Sequence, residues 1–336
     1  MYERQTVGVV VTAYNEAGHV GEVIDTIPEF VDRTYVVDDC STDDTWDVVR
    51  RHAERANSTE LSAPVADGGA DFTPPVVTIR HEENRGYGGA VKTGYRRALE
   101  DDIDVVAVMN GDGQMNPDIL DRIVDPVATD VADYAKGNRL LSPAHWGQMT
   151  RWRLTGNALL TLLTKFASGY WKTMDTQNGY TAISADALRR IDLGRLYEEH
   201  GFLNDLLMEL NSVDARVADV EMTARYGDEE SSIRYRSFVP NLSLLLLQLF
   251  VRRLVVKHLL TDFHPMVFLY GLGSFGLLTS VTAAGYGALL AQDAGLFLGL
   301  ALLLFLVSGV ALTCAMAFDM YESAPLERQI FRDDAR

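Results

Sequence analysis

Two long apolar stretches near the end of the chain limit most strongly what this sequence can fold into. Residues 266–290 and 296–318 are each long enough to cross a lipid bilayer, for which roughly 20 helical residues suffice. Because only a short connection containing Gln292 and Asp293 separates them, they predict a tight helical hairpin in a membrane. A pair of helices buried inside a soluble protein is the alternative interpretation.

The basic residues around this hairpin indicate its orientation. Three of them precede the first stretch and three follow the second, whereas the short connection contains neither lysine nor arginine. The positive-inside rule therefore predicts a multi-pass protein of the cell membrane, with both termini and the large N-terminal part in the cytoplasm. The basic residues concerned are Arg252, Arg253, Lys257, Arg328, Arg332 and Arg336.

A third apolar segment, residues 241–260, is interrupted by Gln248, Arg252, Arg253 and Lys257. It predicts an amphipathic helix in the membrane interface, with its basic residues near anionic headgroups. A third membrane span is the alternative, although charges in the centre of a span are costly. The predicted organisation is a cytosolic domain over residues 1–239, an interfacial helix over residues 240–262, and a transmembrane hairpin with a short cytosolic tail over residues 263–336.

The N-terminal part alternates short apolar segments with segments that have a helical pattern. This alternation indicates an α/β fold with a mainly parallel sheet and crossover helices. In such sheets, ligands bind at the carboxyl ends of the strands. Polar clusters follow three of the predicted strands, and we therefore expect a ligand site there. The predicted strands are 7–11, 34–37, 76–79 and 105–109, the helices are 17–30, about 45 onward and 88–100, and the polar clusters are 14–16, 38–39 and 110–114.

The charge of the chain restricts its partners. The formal net charge is −17, with 47 acidic and 30 basic residues. A surface this acidic argues against nucleic acid as a partner. Abundant acidic residues with little lysine are typical of a salt-rich cytoplasm, such as that of halophilic archaea. The two cysteines, Cys40 and Cys314, predict neither a disulfide framework nor a zinc site.

The cluster after the fourth predicted strand has the composition of a cation site. Asn110-Gly111-Asp112-Gly113-Gln114 alternates oxygen-bearing side chains with glycines. Mg²⁺ and Mn²⁺ favour carboxylate and amide oxygens, and glycines let a backbone approach a diphosphate closely. We therefore expect a divalent cation here, with a plain strand-to-helix turn as the alternative.

Several short motifs occur together in one order, and in that order they resemble glycosyltransferase family 2, in particular the dolichyl-phosphate mannose synthase type. The resemblance covers about residues 6–240 and implies a Rossmann-like GT-A fold. Its motifs are Thr12-Ala13-Tyr14-Asn15-Glu16, Val37-Asp38-Asp39-Cys40-Ser41, Asn84-Arg85-Gly86-Tyr87-Gly88-Gly89-Ala90, Asp112-Gly113-Gln114-Met115-Asn116-Pro117, Lys136-Gly137-Asn138-Arg139, Asp175-Thr176-Gln177-Asn178-Gly179-Tyr180, and Gly201-Phe202 through Glu209-Leu210.

The resemblance also implies roles for individual residues. Asp39 would grip the base or the ribose of a nucleotide, since a carboxylate accepts hydrogen bonds from both. Asp112 and Gln114 would hold the metal ion. The nucleotide-binding residues implied are Thr12, Tyr14, Glu16, Val37, Asp39, Asn110, Gly111 and Asp112.

The catalytic candidates are Asp112, Arg139 and Asp205. Arg139 would face the donor or acceptor phosphate, and Asp175 and Asp205 could equally position loops or orient arginines. Asp205 would act as the base if the acceptor were a hydroxyl, whereas a phosphate acceptor needs none. Further candidates for the acceptor phosphate are Arg153, Arg225 and Arg234, because guanidinium pairs well with phosphate; solvated surface arginines are the alternative.

The sequence departs from the family pattern at three places. Asn110 stands where the family usually has Asp, so the site loses one negative charge although an amide oxygen can still bind. Thr12 stands at a usual proline position. Ser231-Ser232 replaces a frequent Ser-Lys and leaves Arg234 as the nearest basic residue.

The predicted function is inverting transfer of a hexose from a UDP- or GDP-sugar to dolichyl or another polyprenyl phosphate, with Mg²⁺ or Mn²⁺. UDP is slightly favoured, because Asn110 and the segment after Asp175 depart from the mannose synthase pattern. Transfer to a glycan hydroxyl is one alternative, and an inactive membrane protein that binds a lipid or a partner is another. A homo-oligomer could form through Gly271, Gly273 and Gly276.

Overall fold

The computed structural model describes residues 1–60, 72–141, 151–199, 201–223, 235–289 and 294–331. Its first four strands are parallel and lie in the order β3-β2-β1-β4, which confirms the predicted βα pattern. The strands are β1 (Val7–Ala13), β2 (Arg33–Asp38), β3 (Val76–Arg80) and β4 (Val105–Asn110), and the helices between them are α1 (Val20–Asp25), α2 (Thr45–Glu60) and α3 (Gly86–Glu100).

Four more strands extend this sheet in the order β4-β6-β5-β7-β8. Strand β6 is antiparallel to both neighbours, and β5, β7 and β8 are parallel to one another. The strands are β5 (Tyr134–Asn138), β6 (Thr181–Ser184), β7 (Val217–Glu221) and β8 (Glu327–Ile330), and the helices are α4 (Leu120–Ala128), α5 (Arg151–Ser168), α6 (Ala185–Arg190) and α7 (Phe202–Ser212).

Both faces of the sheet are covered, which is why its parallel strands read as continuous apolar runs. One core cluster joins α1, α2 and α4 to the first face, through residues such as Val23 and Ile123. A second cluster joins α3, α6 and α7 to the other face, through residues such as Val91 and Leu206. The carboxyl ends of β1, β2 and β4 are left open between these layers.

Helix α8 (Tyr235–Val255) packs on α5 and α7 and leads into α9 (Met266–Leu289) and α10 (Ala294–Ser323). Both hairpin helices are long and apolar enough to cross a membrane. Only 28% and 17% of the residues in their most apolar windows are buried within the protein, which disfavours a buried pair in a soluble core. The two helices are candidate membrane spans.

The hairpin uses its small residues for contact between its own helices. A Cβ atom on Gly273 would lie 2.6 Å from Cγ of Leu312, and one on Gly276 would lie 2.1 Å from Oγ of Ser308. A Cβ atom on Gly271 would meet nothing within 4 Å. The first two glycines therefore serve packing of α9 on α10, and the suggestion that they face another copy of the chain is wrong.

The basic residues of the predicted interfacial segment also differ from expectation. Arg253 is fully buried and makes a two-pronged ion pair with Asp319 of α10, at 2.8 and 2.7 Å. Lys257 is buried too, and its Nζ lies 2.8 Å from Oδ1 of Asp214. The prediction that these two side chains face lipid headgroups is wrong, because each is paired within the protein, as a buried cation must be.

The residues after the hairpin return to the α/β domain. Following a single turn at Ala324–Leu326, strand β8 pairs with β7 and forms one edge of the sheet. What the sequence predicted as a short tail therefore includes the last strand of the sheet. The hairpin is joined to the domain at both of its ends.

Candidate active site

A cavity of about 1420 Å³ opens where the carboxyl ends of β1, β2 and β4 meet. The structure brings seven of the eight predicted nucleotide-binding residues to its wall: Thr12, Tyr14, Glu16, Asp39, Asn110, Gly111 and Asp112. The eighth, Val37, is fully buried in the core between the first and third strands and does not line the cavity. Strand-end placement thus explains the cavity, as expected for a parallel sheet.

Asp39 is held in one orientation at the side of this cavity. Its Oδ1 lies 2.7 Å from Nδ1 of His81 and accepts the backbone N–H of Arg85 at 2.9 Å. His81 is itself fixed from the other ring nitrogen, which lies 2.9 Å from Oγ1 of Thr93. No sequence motif marks His81, but it directly follows β3, so the strand-end rule could have identified it.

The start of α3 and Glu198 form a further part of the cavity wall. The Glu198 carboxylate accepts hydrogen bonds from Lys92 at 2.8 Å and Arg85 at 3.2 Å. The hydrogen bond from Lys92, assisted by the charges of both cations, lowers the pKa of Glu198 despite partial burial. Gly86 has φ +76°, and a Cβ there would lie 2.8 Å from the Glu198 carbonyl oxygen. Glycine at this position allows the two segments to meet.

The predicted cation site lies at the end of β4. The Oδ1 atom of Asn110 is buried and has no hydrogen-bond partner among the residues that the structure describes. Oδ1 of the neighbouring Asp112 accepts the backbone N–H of Gln114 at 3.0 Å. An unsatisfied amide oxygen beside a carboxylate fits a hard divalent cation. Within the described ranges no three His, Cys, Asp or Glu residues cluster around a metal position. A cation here would therefore need further oxygen ligands from a molecule bound in the cavity.

A smaller cavity of about 100 Å³ shares Asn110 and Asp112 with the larger one. Gln114 and Arg139 also line it. Arg139 binds Asp175 through Nε at 2.7 Å and Nη2 at 2.8 Å. Burial raises the pKa of Asp175, but the hydrogen bonds and charge of Arg139 outweigh it and hold this pKa below its usual value. The arginine is therefore oriented by a carboxylate that stays ionised.

The loop that carries Asp175 rests on buried polar side chains of β5 and β7. Lys136 forms a buried ion pair with Asp219 at 3.1 Å and donates hydrogen bonds to the carbonyl oxygens of Met174 and Asp175. Asp219 also accepts the N–H of Met174 at 2.8 Å, and burial raises its pKa. Lys136 of the Lys-Gly-Asn-Arg motif thus supports the loop that carries Asp175.

Comparison with known proteins places the chain in a family. The sequence model of glycosyl transferase family 2 matches residues 8–192, which is more than half of the chain. The chain belongs to glycosyltransferase family 2. It is accordingly a glycosyltransferase, as its sequence motifs predicted.

Two relatives of this glycosyltransferase carry informative names. It is 29% identical over 182 residues to the UDP-N-acetylglucosamine–dolichyl-phosphate N-acetylglucosaminyltransferase of Methanococcus voltae, covering 54% of this chain and 70% of the relative. It is 29% identical over 222 residues to the undecaprenyl-phosphate mannosyltransferase of Micrococcus luteus, covering 64% of this chain and 81% of the relative.

Solved structures support the GT-A-like fold. Glucosyl-3-phosphoglycerate synthase from Mycobacterium tuberculosis, in complex with Mn²⁺, uridine diphosphate and phosphoglyceric acid, superposes with a TM-score of 0.51. The match covers 74% of this glycosyltransferase and 78% of that chain, at 17% identity. At this identity the likeness concerns the fold alone.

Asp205, the predicted base, lies behind the wall of the glycosyltransferase cavity. It is buried, accepts the backbone N–H of Tyr197 at 2.8 Å, and faces Arg252 of α8 at 3.7 Å. Burial raises the pKa of its carboxyl group. Because Tyr197 immediately precedes Glu198, the structure places Asp205 where it supports the cavity wall, and it lines neither cavity.

The remaining predicted arginines are not placed in the site. Arg225 and Arg234 lie outside the described residues. Arg153 belongs to α5, where the structure describes the backbone but not this side chain. Of the predicted acceptor-phosphate residues, the structure brings Arg139 and Asp175 together beside Asp112.

Proposed function

We propose that this glycosyltransferase transfers a hexose, with inversion, from a nucleotide diphosphate sugar to dolichyl or another polyprenyl phosphate. The observation that carries the proposal is the pair of joined cavities at the end of β4. The larger has the size and polar lining for a nucleotide, and the smaller presents the fixed cation of Arg139 beside Asp112. The polyprenyl-phosphate acceptors in the names of two relatives support the same reaction.

Residues of the two cavities contact different parts of the donor. Asp39 accepts hydrogen bonds from the base or ribose, and Asp112, with Asn110 and Gln114, would hold Mg²⁺ or Mn²⁺. When bound, the cation stabilises the negative charge of the leaving nucleotide diphosphate. Arg139 adds a second positive charge close to the reacting phosphate groups.

The acceptor phosphate is its own nucleophile in this reaction. One of its oxygens forms a bond to the anomeric carbon as the bond from that carbon to the diphosphate oxygen breaks on the opposite side, which inverts the configuration. An anionic phosphate has no proton to lose, so the step needs no general base. The position of Asp205 behind the cavity wall supports this acceptor over a hydroxyl.

The hydrogen bonding of Asp39 favours UDP over GDP as the nucleotide. Its Oδ1 is already engaged with His81 and the Arg85 N–H, which leaves Oδ2 for the ligand. Uracil offers a single N–H that one oxygen satisfies. Guanine offers two adjacent donors, which pair best with both oxygens of a free carboxylate. We propose a UDP-hexose donor.

The hairpin indicates where the acceptor meets the enzyme. A polyprenyl chain stays in the bilayer, so its phosphate must meet the enzyme at the membrane surface. Both ends of the hairpin return to the catalytic domain, through α8 and β8, and the connection between its helices lacks lysine and arginine. These features support a catalytic domain on the cytoplasmic face.

A transfer assay tests the proposal. Purified full-length protein is given polyprenyl phosphate, Mg²⁺ or Mn²⁺, and a panel of labelled UDP- and GDP-sugars. We expect label from a UDP-hexose in the organic phase, lost in Asp112→Ala and retained in Asp186→Ala, which removes an exposed carboxylate on α6. Label that enters only a glycan supports transfer to a hydroxyl instead. A protein that binds none of the donors in the presence of the metal ion is an inactive binding protein.

A further inference from the structure

The strand that follows the membrane hairpin reaches back toward the acceptor side of the active site. Glu327 is the first residue of β8 and comes four residues after the end of α10. Its carboxylate is 3% exposed and accepts three consecutive backbone N–H groups, from Trp171 at 2.9 Å, Lys172 at 2.5 Å and Thr173 at 3.0 Å. Three aligned N–H groups form a cradle for one anion.

The segment held by Glu327 leads directly into the loop that orients Arg139. Thr173 is followed by Met174, whose N–H is bound by Asp219, and then by Asp175, which grips the Arg139 guanidinium. Asp175 itself has a left-handed backbone with φ +50°. A non-glycine residue in this region persists only where the surroundings fix it.

We propose that Glu327 is a positioning residue for Arg139, through which the seating of the membrane hairpin sets the geometry of the acceptor side of the site. The inference rests on the proposed function. Asp219 and Lys136 fix the loop from the sheet, and Glu327 fixes its other end from the segment attached to α10. The hairpin then holds the enzyme in the membrane and also determines where the phosphate-binding arginine lies.

A second contact between the same two segments agrees with this role. Gln329, two residues further along β8, donates from Nε2 to the carbonyl oxygen of Lys172 at 3.1 Å. Strand β8 therefore holds residues 171–173 by their N–H groups and by a carbonyl. Neither Glu327 nor Gln329 lines either cavity, so both act through the loop.

The test compares Glu327→Gln with Glu322→Gln in full-length protein. The control removes a half-exposed carboxylate near the end of α10 that pairs with His264 at 3.7 Å. An amide puts N–H donors against the N–H groups that Glu327 now binds, so the loop must shift. A displacement of about 1 Å costs on the order of 10²-fold in rate, and we expect kcat for transfer to polyprenyl phosphate to fall by about 10–100-fold.

The rate is expressed per nucleotide-binding site, titrated with UDP and Mn²⁺. We expect the KM for polyprenyl phosphate to rise, the affinity for UDP to change by less than about twofold, and Glu327→Asp to recover part of the rate because it keeps the charge. A merely structural role would lower the number of binding sites and leave the rate per site unchanged. That result would overturn the inference.

The other possible outcomes are also decisive. If Glu327→Gln yields no folded protein, Gln329→Ala replaces it, with a smaller expected loss of about threefold per site in the same direction; an unchanged rate there contradicts the inference. A wild-type enzyme that labels no polyprenyl phosphate refutes the proposed function. A wild-type enzyme that labels the lipid, with Glu327→Gln equally active per site, refutes only the role of Glu327.

Discussion

Asn110 is the residue at which the site departs most from the carboxylate pair usual in its family. Its side-chain oxygen is buried beside Asp112 and has no hydrogen-bond partner within the described ranges. A buried, unsatisfied oxygen costs free energy unless a ligand satisfies it. The proposed cation site would therefore use Asn110 as one neutral ligand in place of a charged one.

Asn110→Asp should tighten cation binding. The added charge is expected to lower the Mn²⁺ concentration for half-maximal activity by about tenfold, since ligand charge tunes the affinity of such sites. Activity measured against Mn²⁺ concentration checks this, with Gln5→Glu, which adds the same charge before β1 at the other end of that strand, as the control. An unchanged metal requirement would mean that Asn110 does not face the cation.

Asp175→Asn should destabilise the protein at neutral pH but progressively less in acid. The folded-state pKa of Asp175 is lowered, so its stabilising effect is present above its unfolded pKa of about 4 and is lost as pH falls through the folded value. Breaking a largely buried pair costs about 3 kcal/mol at pH 7. Thermal unfolding of both proteins at pH 7 and below pH 4 measures the difference in stability between wild type and variant. A difference that is independent of pH would contradict an ionised Asp175 paired with Arg139.

At the residue scale, the sequence indicates those site residues that directly follow predicted strands. It does not indicate residues that reach the site through contacts between distant parts of the chain. Asp39 and Asp112 follow apolar runs directly, so the strand-end rule finds them. Glu198 meets Arg85 across 113 residues of sequence, and no local pattern encodes such a contact. Val37, by contrast, lies inside a strand of a covered sheet, so its side chain faces the core and not the cavity.

The helices of the hairpin show how element packing depends on single glycines. Gly273 lies against Leu312 and the carbonyl of Ser308, whereas Gly271, on the same helix, faces open space. The two glycines differ by two positions and therefore point to opposite sides of α9. Only one of them can accept a side chain without moving the helices apart.

Gly273→Val should destabilise the hairpin by about 1–3 kcal/mol, because overpacking forces the helices apart. Gly271→Val is the control and should leave stability nearly unchanged. Unfolding of both variants in the same detergent compares them. Equal destabilisation would mean that α9 and α10 do not pack through this face.

Prediction of the strands succeeded where an apolar run marks them in the sequence. Strands β1, β2 and β4 contain buried runs of valine and other apolar residues, and β3 begins with Val76-Val77 although most of its side chains are only partly buried. Strand β8 reads Glu-Arg-Gln-Ile and has no such run. Its strand conformation comes from pairing with β7, so tertiary contact decides it and local preference does not.

At the scale of the whole molecule, a buried ion pair connects the catalytic domain to the hairpin. Arg253 on α8 binds both carboxylate oxygens of Asp319 on α10 and donates to the carbonyl of Phe166 at the end of α5. Tyr270 of α9 donates to the same carboxylate at 3.2 Å. One carboxylate thus joins α8, α9 and α10.

Asp319→Asn should cost about 3–5 kcal/mol, because it leaves the buried guanidinium without its counter-charge. The double variant Arg253→Met with Asp319→Leu should cost less than this single variant, since no unpaired charge remains. Denaturant unfolding in detergent compares the two. A double variant that costs more than Asp319→Asn would contradict the pairing of the two residues.

The position of β8 at the edge of the sheet has a consequence for how the protein is made. The ribosome completes seven strands before the hairpin emerges, and the eighth can pair only after both helices have been synthesised. Until then the β7 edge exposes unpaired backbone groups, which invite association with other chains. Closure of the sheet thus waits for the hairpin, and a chain whose hairpin fails to insert keeps an open edge that quality-control factors can recognise.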